Sequence, residues 1–409
     1  MSPANGASGR RVKSLVAAVL GVLASTPSAA LFNDYIEIWA AENVTRDTNV
    51  FRLSDKLGPS SIGATQRGDT IFTTHLGVTA NVPVSQQRLE AAYTWYQSRY
   101  RHFTDLDFTG HTARAAWTYN LQNKLTGVLS FTESEGLASF SNIQSRDKDL
   151  VTVRQAQGTG TWLVTPRWRA SGRLAAVETE HSNVLRRIND IEAGTVEAGV
   201  SYVTPQENLV GGIVRYEHGR APHGVTFPNS PFISRPFDNE YDQYSAGVTT
   251  TWNLSGHSRF DGRLEVVRRN YKEFTQRDYT GAIARALYKW TPTPKTTVDF
   301  GFVREIGPAE EIQTSFVLVT GGYIRPQWAI TEKILLQGNL EYNVWDYRGD
   351  ALAGGDFTHR QRLLGASVQW KPWPRVWLQA GANRESRTST LQFGDYETTV
   401  VFVEGRVGF

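Results

Sequence analysis

The residues of this chain that could do acid–base, nucleophilic or metal chemistry are not spaced for it. The eight histidines follow no metal-ligand spacing such as H-E-x-x-H, and cysteine is absent. No G-x-S-x-G elbow occurs, and Gly158–Gly160 lacks the third glycine of a dinucleotide fingerprint. His181, Ser182 and His218 could be imagined as a hydrolase site, but solvated loop residues are the preferred interpretation because no orienting partner is visible. The sequence therefore predicts no enzyme, no catalytic residue, no cofactor and no metal site.

A second set of reactive groups consists of charged side chains that recur at every second position. They alternate with apolar residues, so that charges share one face of a strand and apolar side chains share the other. Many unpaired charges facing a dry core would be very costly, so this face is expected to border water. Whether the charges select a cargo or only pair across strands and stiffen the wall stays open. The predicted pore-lining residues are Arg88, Glu90, Arg114, Arg169, Arg173, Glu197, Arg215, Arg263, Glu265, Arg285, Glu341 and Arg406.

The elements that must hold these charges are predicted to be β-strands. Arg88–Tyr96, Arg167–Val177 and Ile334–Val344 each divide into one apolar and one polar face, and a period of two excludes a helical interpretation. About eighteen such segments, with sixteen as the alternative, are separated alternately by tight turns and by longer connections. This pattern predicts an all-β fold: a transmembrane antiparallel up-and-down β-barrel with short periplasmic turns and longer extracellular loops. An even strand number would place both termini in the periplasm.

The ends of the chain support a membrane barrel. Residues 395–409 read as a two-faced strand that ends in Phe409, which resembles the terminal strand of bacterial outer-membrane barrels and implies the outer-membrane assembly machinery as a partner. Arg10, Arg11 and Lys13 precede a short apolar run and a small-x-small site, which predicts a signal peptide over 1–30 and a single barrel domain over 31–409; an uncleaved anchor helix is the alternative. Tryptophans beside the tight turns are expected at the depth of the lipid headgroups. The alternative is that they cover the ends of the core of a soluble β-protein.

Net charge does not point to a nucleic-acid partner. The formal charge of the whole chain is +3. Residues 1–30 contain three basic and no acidic residues, so the predicted mature chain has no formal net charge. Outer-membrane lipid is the expected surrounding, and nucleic acid is excluded as a partner.

One short segment resembles a known family. Asn43–Asp55 resembles the opening of the EpsL-type exopolysaccharide-biosynthesis outer-membrane proteins of exosortase-associated systems. In that family a first strand leads into Asp-x-Asn-hydrophobic-Phe/Tyr-Arg-Leu. The resemblance implies an outer-membrane channel for an exported polysaccharide, acting with a periplasmic polysaccharide-export protein, and it supplies no catalytic residues. The matching residues are Asp47, Asn49, Val50, Phe51, Arg52 and Leu53.

The predicted lining fits more than one cargo. Arginine outnumbers lysine on the polar faces, beside Tyr96, Tyr279 and Trp345, and such groups offer the weak multi-site binding that conduction needs. A polysaccharide would suit this lining, and so would a small anionic or neutral solute. A general or nutrient-uptake porin is therefore the alternative function, with the proline-containing Gly219–Asn239 as a candidate loop inside the lumen.

Overall fold

The protein forms one closed sheet of eighteen strands. The computed structural model describes residues 35–141, 145–223, 240–273, 275, 278–308, 316–348 and 356–409; the predicted signal peptide over 1–30 lies outside these residues. Each strand pairs antiparallel with its neighbours in sequence, and β1 (Ile36–Asp47) also pairs with β18 (Tyr396–Gly408). The sheet therefore has no free edge, which removes the unpaired backbone groups that hydrocarbon does not tolerate. The predicted all-β antiparallel barrel with eighteen strands is confirmed.

The remaining strands follow in chain order. They are β2 (Asp69–Val84), β3 (Gln87–Tyr100), β4 (Phe108–Leu121), β5 (Leu125–Leu137), β6 (Leu150–Leu163), β7 (Trp168–His181), β8 (Ile191–Val203), β9 (Leu209–Arg220), β10 (Tyr241–Ser255), β11 (Ser258–Tyr271), β12 (Tyr279–Thr293), β13 (Thr296–Pro308), β14 (Phe316–Ala329), β15 (Ile334–Arg348), β16 (Phe357–Trp373) and β17 (Val376–Ser389). Short 3₁₀ helices over Pro59–Ile62, Thr104–Leu106 and Val184–Asn189 lie in the described parts of the connections.

The strands are strongly tilted. Following paired residues once around the barrel returns to β1 about 22 residues from the starting point, which corresponds to a tilt of about 40° and a backbone radius of roughly 18 Å. A barrel of this width is too wide for side chains alone to fill.

The connections differ systematically between the two rims. The rim at which β2 meets β3 has tight turns and is called the short-turn rim; the opposite rim, where 48–68 joins β1 to β2, is called the long-loop rim. Among the described residues, no helix is long and apolar enough to span a bilayer.

Several strands contain prolines close to the short-turn rim, among them β12, β14 and β16. β12 and β16 accommodate Pro292 and Pro372 by register shifts next to the turn. In β14, Pro326 pairs with Val298 on one side, while the pairing with β15 is interrupted beside it. Proline lacks an N–H donor, so a strand can contain it only where the ladder needs no bond.

Candidate functional site: the lumen and its long-loop mouth

A contact between non-neighbouring strands identifies the inner face. Arg263 on β11 donates to Glu197 on β8 at 2.5 Å, although β9 and β10 lie between them. Side chains converge in this way only on the concave side of a curved sheet. On the other face, Leu174 is 62% and Leu264 is 52% exposed, so the convex side is apolar. Trp252, Trp290, Trp328, Trp370 and Trp373 are exposed near the short-turn rim.

Strand register places the predicted pore-lining residues on the same face as Arg263. Several of them bond to neighbouring side chains of the wall. Arg173 bonds Gln157 at 2.8 Å, Arg285 pairs with Glu305 at 2.8 Å, and Glu341 accepts from Asn343 at 2.8 Å. Glu90 and Arg114 border a common recess near the short-turn rim. Arg88 and Arg114 are exposed, and Glu90 and Arg169 are half-buried.

A compact ion network joins four of these residues. Arg263 donates to Glu265 at 2.6 Å as well as to Glu197. Arg215 lies 3.4 Å from Glu265, and Ser245 donates to the same carboxylate at 2.7 Å. Because Glu265 is almost fully buried, its charge depends on these partners. For this group, the structure shows the cross-strand pairing that stiffens a barrel wall.

Layered stacks form a second feature of the inner face, and of their members the predicted pore-lining set includes only Arg406. Arg269 lies 4.0 Å from the ring centroid of Tyr241, and that ring lies against Gly219 on the paired strand. Arg325 over Tyr323 and Gly301 repeats this arrangement, with a cation–ring distance of 4.1 Å. The aromatic ring thus lies flat on the wall and the guanidinium covers it. The signal available in the sequence was an aromatic residue on the polar face of a strand.

The stacks occur along the length of the barrel. Arg406 lies 4.1 Å from the Trp39 ring, which lies against Gly77, and this stack is close to the short-turn rim. Arg387 lies 4.6 Å from the Tyr396 ring at the opposite rim. Guanidinium–aromatic contacts of this kind are stabilising and keep the cation ordered. The lumen therefore contains fixed planar cations near both ends.

The aromatic residues predicted for the lining are mostly engaged in packing. The Tyr96 hydroxyl donates to the carbonyl oxygen of Glu135 at 2.6 Å. Tyr279 packs against the cluster of Tyr241 and Tyr271, and Trp345 packs against the cluster that contains Tyr347.

An apolar cluster, called the mouth cluster, lies at the long-loop rim. Phe51 and Leu53, from the connection between β1 and β2, are fully buried. Phe51 makes edge contacts of 4.9 Å with both Phe103 and Phe140, which come from two other connections. Tyr100, on the inner face of β3, belongs to the same cluster, so the cluster borders the lumen. Its buried members are Val50, Phe51, Leu53, Ala64, Tyr100, Phe103, Leu106 and Phe140.

The segment that carries the family resemblance builds the turn that presents Phe51. Asn49 donates to the carbonyl of Leu53 at 2.8 Å and accepts from its amide at 2.9 Å, which closes the turn. Arg52, inside the turn, has a φ of 54°, a left-handed conformation that is uncommon for residues other than glycine. Asp47 accepts from Arg52 at 2.7 Å and from the amide of Asn49 at 2.8 Å. The polar residues of the segment thus fix the backbone, and the apolar ones fill the mouth cluster.

A polar contact joins three mouth connections above the cluster. Arg146 donates to both carboxylate oxygens of Asp105, at 2.7 and 2.8 Å, and to the carbonyl of Gly63 at 3.0 Å. The hydrogen bonds from Arg146 lower the pKa of Asp105. Bidentate geometry of this kind is specific for an arginine and a carboxylate.

The imagined hydrolase pair is separated by its own hydrogen bonds. The Ser182 hydroxyl donates to Asp149 at 3.2 Å, whereas His181 Nδ1 contacts Asp190 at 2.9 Å. His218 contacts Asp242 at 3.0 Å on a different strand. Within the described ranges, no group of three His, Cys, Asp or Glu residues is placed to hold a metal ion.

The closed wall, the apolar convex face and the charged lumen define a class: the chain is a porin-like outer-membrane β-barrel. A family model described as "Putative beta-barrel porin 2" matches residues 240–409, which comprise β10 to β18.

Several solved structures are similar to this chain. Acinetobacter baumannii OccAB3 has a TM-score of 0.49 and 9% identity, covering 92% of this chain and 100% of that chain. Pseudomonas aeruginosa OccK2 (OpdF) in complex with glucuronate has a TM-score of 0.49 and 9% identity, covering 92% and 99%. A BenF-like porin from Pseudomonas fluorescens Pf-5 has a TM-score of 0.48 and 8% identity, also covering 92% and 99%. No curated protein matches this chain.

Proposed function

We propose that the protein is an outer-membrane channel for the secretion of an exopolysaccharide. The observation that carries the proposal is the set of layered stacks on the inner face, in which guanidinium groups lie 4.0 to 4.6 Å from their ring centroids. Arg269 and Arg387 are buried within the wall, whereas Arg325 and Arg406 keep part of their side chains exposed to the lumen. Guanidinium groups donate hydrogen bonds to hydroxyl and carboxylate oxygens alike. Repeated weak sites without a deep trap favour the movement of a polyhydroxylated chain.

The short-turn rim is the proposed docking surface for a periplasmic polysaccharide-export protein. In this orientation both termini lie in the periplasm. The exposed cations of this rim would face an acidic partner surface, because complementary charge speeds and orients docking. These cations are Lys124, Arg167, Lys295, Lys333, Lys371 and Arg375.

Two related proposals concern the ends of the chain. Residues 1–30 act as a signal peptide, leaving a single barrel domain over 31–409. Phe409, whose side chain is exposed beside β1 while its amide bonds the carbonyl of Ile38 at 2.7 Å, is offered to the outer-membrane assembly machinery.

The decisive experiment is a deletion of the gene with localisation of the polymer. An export channel predicts that polymer accumulates in the periplasm and disappears from the surface. The full-length protein should restore export, and a variant with Arg325→Gln and Arg406→Gln should restore less of it at equal barrel abundance. Normal surface polymer in the deletion strain would refute the export proposal.

A general or nutrient-uptake porin is the second candidate. The mouth cluster favours it, because Phe51 and Leu53 are buried at the rim that would face the medium and narrow the entrance. The predicted lumen loop Gly219–Asn239 does not decide between the two, since 224–239 lies outside the described residues. Proteoliposomes separate the candidates: rapid flux of monosaccharides with unchanged surface polymer in the deletion strain supports uptake.

A further inference from the structure

A group of arginines faces outward near the long-loop rim, on the arc from β11 through β18 to β3. Arg268 continues the outward alternation of Leu264 and Val266, and Arg362 precedes the outward Leu364, which is 59% exposed. All lie within about five residues of the long-loop ends of their strands, directly beyond the apolar band. This group, called the basic arc, comprises Arg46, Arg99, Arg268, Arg304, Arg360, Arg362 and Arg384.

The partners of the basic arc are mainly neutral. Arg304 donates to the Thr320 hydroxyl at 2.7 Å and to a backbone carbonyl at 3.3 Å. Arg268 donates to an asparagine oxygen at 3.1 Å, and Arg99 to a glutamine oxygen at 3.0 Å. Arg384 differs, because it pairs with Glu397 at 2.9 Å. A guanidinium has five N–H donors, so these bonds leave donors for an external acceptor.

The outer face at the same rim is acidic on the other side of the barrel. There, Arg154 is held by Glu133, Glu178 and Glu180 at 2.9, 3.1 and 2.8 Å. Farther along, Arg220 is paired with Glu192 at 2.6 Å. The rim is therefore polarised, and an anionic ligand is attracted to one half and repelled from the other.

We propose that the basic arc binds the phosphate groups of a phosphorylated glycolipid in the outer leaflet. The acyl chains would lie against the apolar residues below the arc, and the phosphates would accept hydrogen bonds from the guanidinium groups. Arg304 and Arg360 share one register row with Thr320 and Val344 between them, which separates them by roughly 14 Å. An extended headgroup with two phosphates suits two such sites.

This inference rests on the proposed membrane orientation but not on the cargo. The arc meets the outer leaflet only if the long-loop rim faces outward. An ammonium headgroup or a sugar without phosphate would not complement the charge, and a soluble protein would not reach side chains that lie next to the acyl chains.

Native mass spectrometry of the detergent-purified barrel tests the proposal. The probes are diphosphorylated lipid A, the same lipid after removal of both phosphates, and phosphatidylglycerol. Lipid A should bind, and the variant with Arg304→Gln, Arg360→Gln and Arg362→Gln should bind it at least about tenfold more weakly. Arg220→Gln, on the acidic half of the rim, is the matched control and should bind as the parent does. Heat-modified mobility in gels checks that each barrel is folded.

Three results would overturn the proposal: equal binding of the dephosphorylated lipid, equal binding of phosphatidylglycerol, or parent-like binding by the folded triple variant. The measurement includes no transport step, so failure would leave the channel proposal intact. Conversely, lipid binding with normal surface polymer in the deletion strain would refute export alone.

Discussion

The side-chain amide of Asn49 donates a hydrogen bond of 3.0 Å to the backbone carbonyl of Glu397, 348 positions along the chain. This bond crosses the seam at which the first and last strands close the barrel. The Thr398 hydroxyl donates to Asp47 at 2.8 Å, and the amide of Thr399 donates to the Thr48 hydroxyl at 2.8 Å. The segment that resembles a family signature therefore acts as a clasp on the seam as well as a frame for the mouth cluster.

Replacing the clasp residue should loosen the seam. Asn49→Ala removes bonds to Leu53 and Glu397 and leaves buried backbone groups unpaired, with an expected loss of about 2–3 kcal/mol. Hydrogen exchange should accelerate at the amide of Thr399 and leave the centre of β10 unchanged. Asn270→Ala, on the outer face at the same rim, is the control; equal acceleration in both variants would contradict a specific clasp.

Truncating the central ring of the mouth cluster should widen the entrance. Phe51→Ala removes a fully buried side chain and should cost about 3–5 kcal/mol locally. Planar bilayer recordings should show a higher or noisier conductance. Phe131→Ala removes the same group from the lipid-facing side, where the ring is 42% exposed, and should leave conductance unchanged. A parent-like trace for Phe51→Ala would show that the cluster does not limit flow.

The ion network in the lumen should influence charge selectivity. Glu197→Gln removes one negative charge beside Arg263, so the reversal potential in a salt gradient should shift toward anions. Arg263→Gln should shift it toward cations. Glu135→Gln changes the same charge on the convex face and should shift nothing. Equal shifts for Glu135 and Glu197 would exclude the assignment of the inner face.

A methyl group beneath a layered stack should move the ring into the lumen. A Cβ built on Gly301 would lie 2.1 Å from the Tyr323 ring, so Gly301→Ala must displace that ring and the Arg325 above it. We expect lower conductance in bilayer recordings with a normal amount of folded barrel. Gly194→Ala, where a Cβ meets nothing within 4 Å, is the control and should conduct as the parent does.

Acid should release the polar contact above the mouth cluster. Hydrogen bonds from Arg146 hold the pKa of Asp105 below its ordinary value of about 3.9. The contact therefore stabilises the mouth above that value, and this contribution is lost as the pH falls through the lower pKa of the folded state. The protection factors of the Leu106 and Asp107 amides, which correct for the intrinsic pH dependence of exchange, should fall below about pH 4. Asp105→Asn should exchange faster already at neutral pH and lose this acid dependence.

The strands were predictable because each one repeats a local pattern. Alternation around Arg263 and Glu265 assigns both to one face without knowledge of their partners, and closure of the barrel makes that face the inner one. The strand ends at Pro292 and Pro372 were not predictable, because a register shift depends on the neighbouring strand. The sequence singled out Asn43–Asp55, but its role depends on contacts with β18 and with two other connections.

Apart from Arg406, the residues of the stacks were not predicted as pore-lining, for a related reason. An arginine and an aromatic residue on adjacent strands become a stack only through register, as with Arg269 and Tyr241. The outward position of Arg304 and Arg360 follows from the alternation of side chains along each strand. Their distance from the apolar band can be obtained only when the tilt of the strands is known.

The clasp has a consequence for biogenesis. Since Asn49 and Asp47 are held by residues of β18, the entrance cannot take its final form until the last strand has joined the first. A nascent barrel that still lacks β18 is therefore missing part of its wall, and its entrance does not yet have its final form. Closure of the barrel and formation of its entrance therefore occur in the same step.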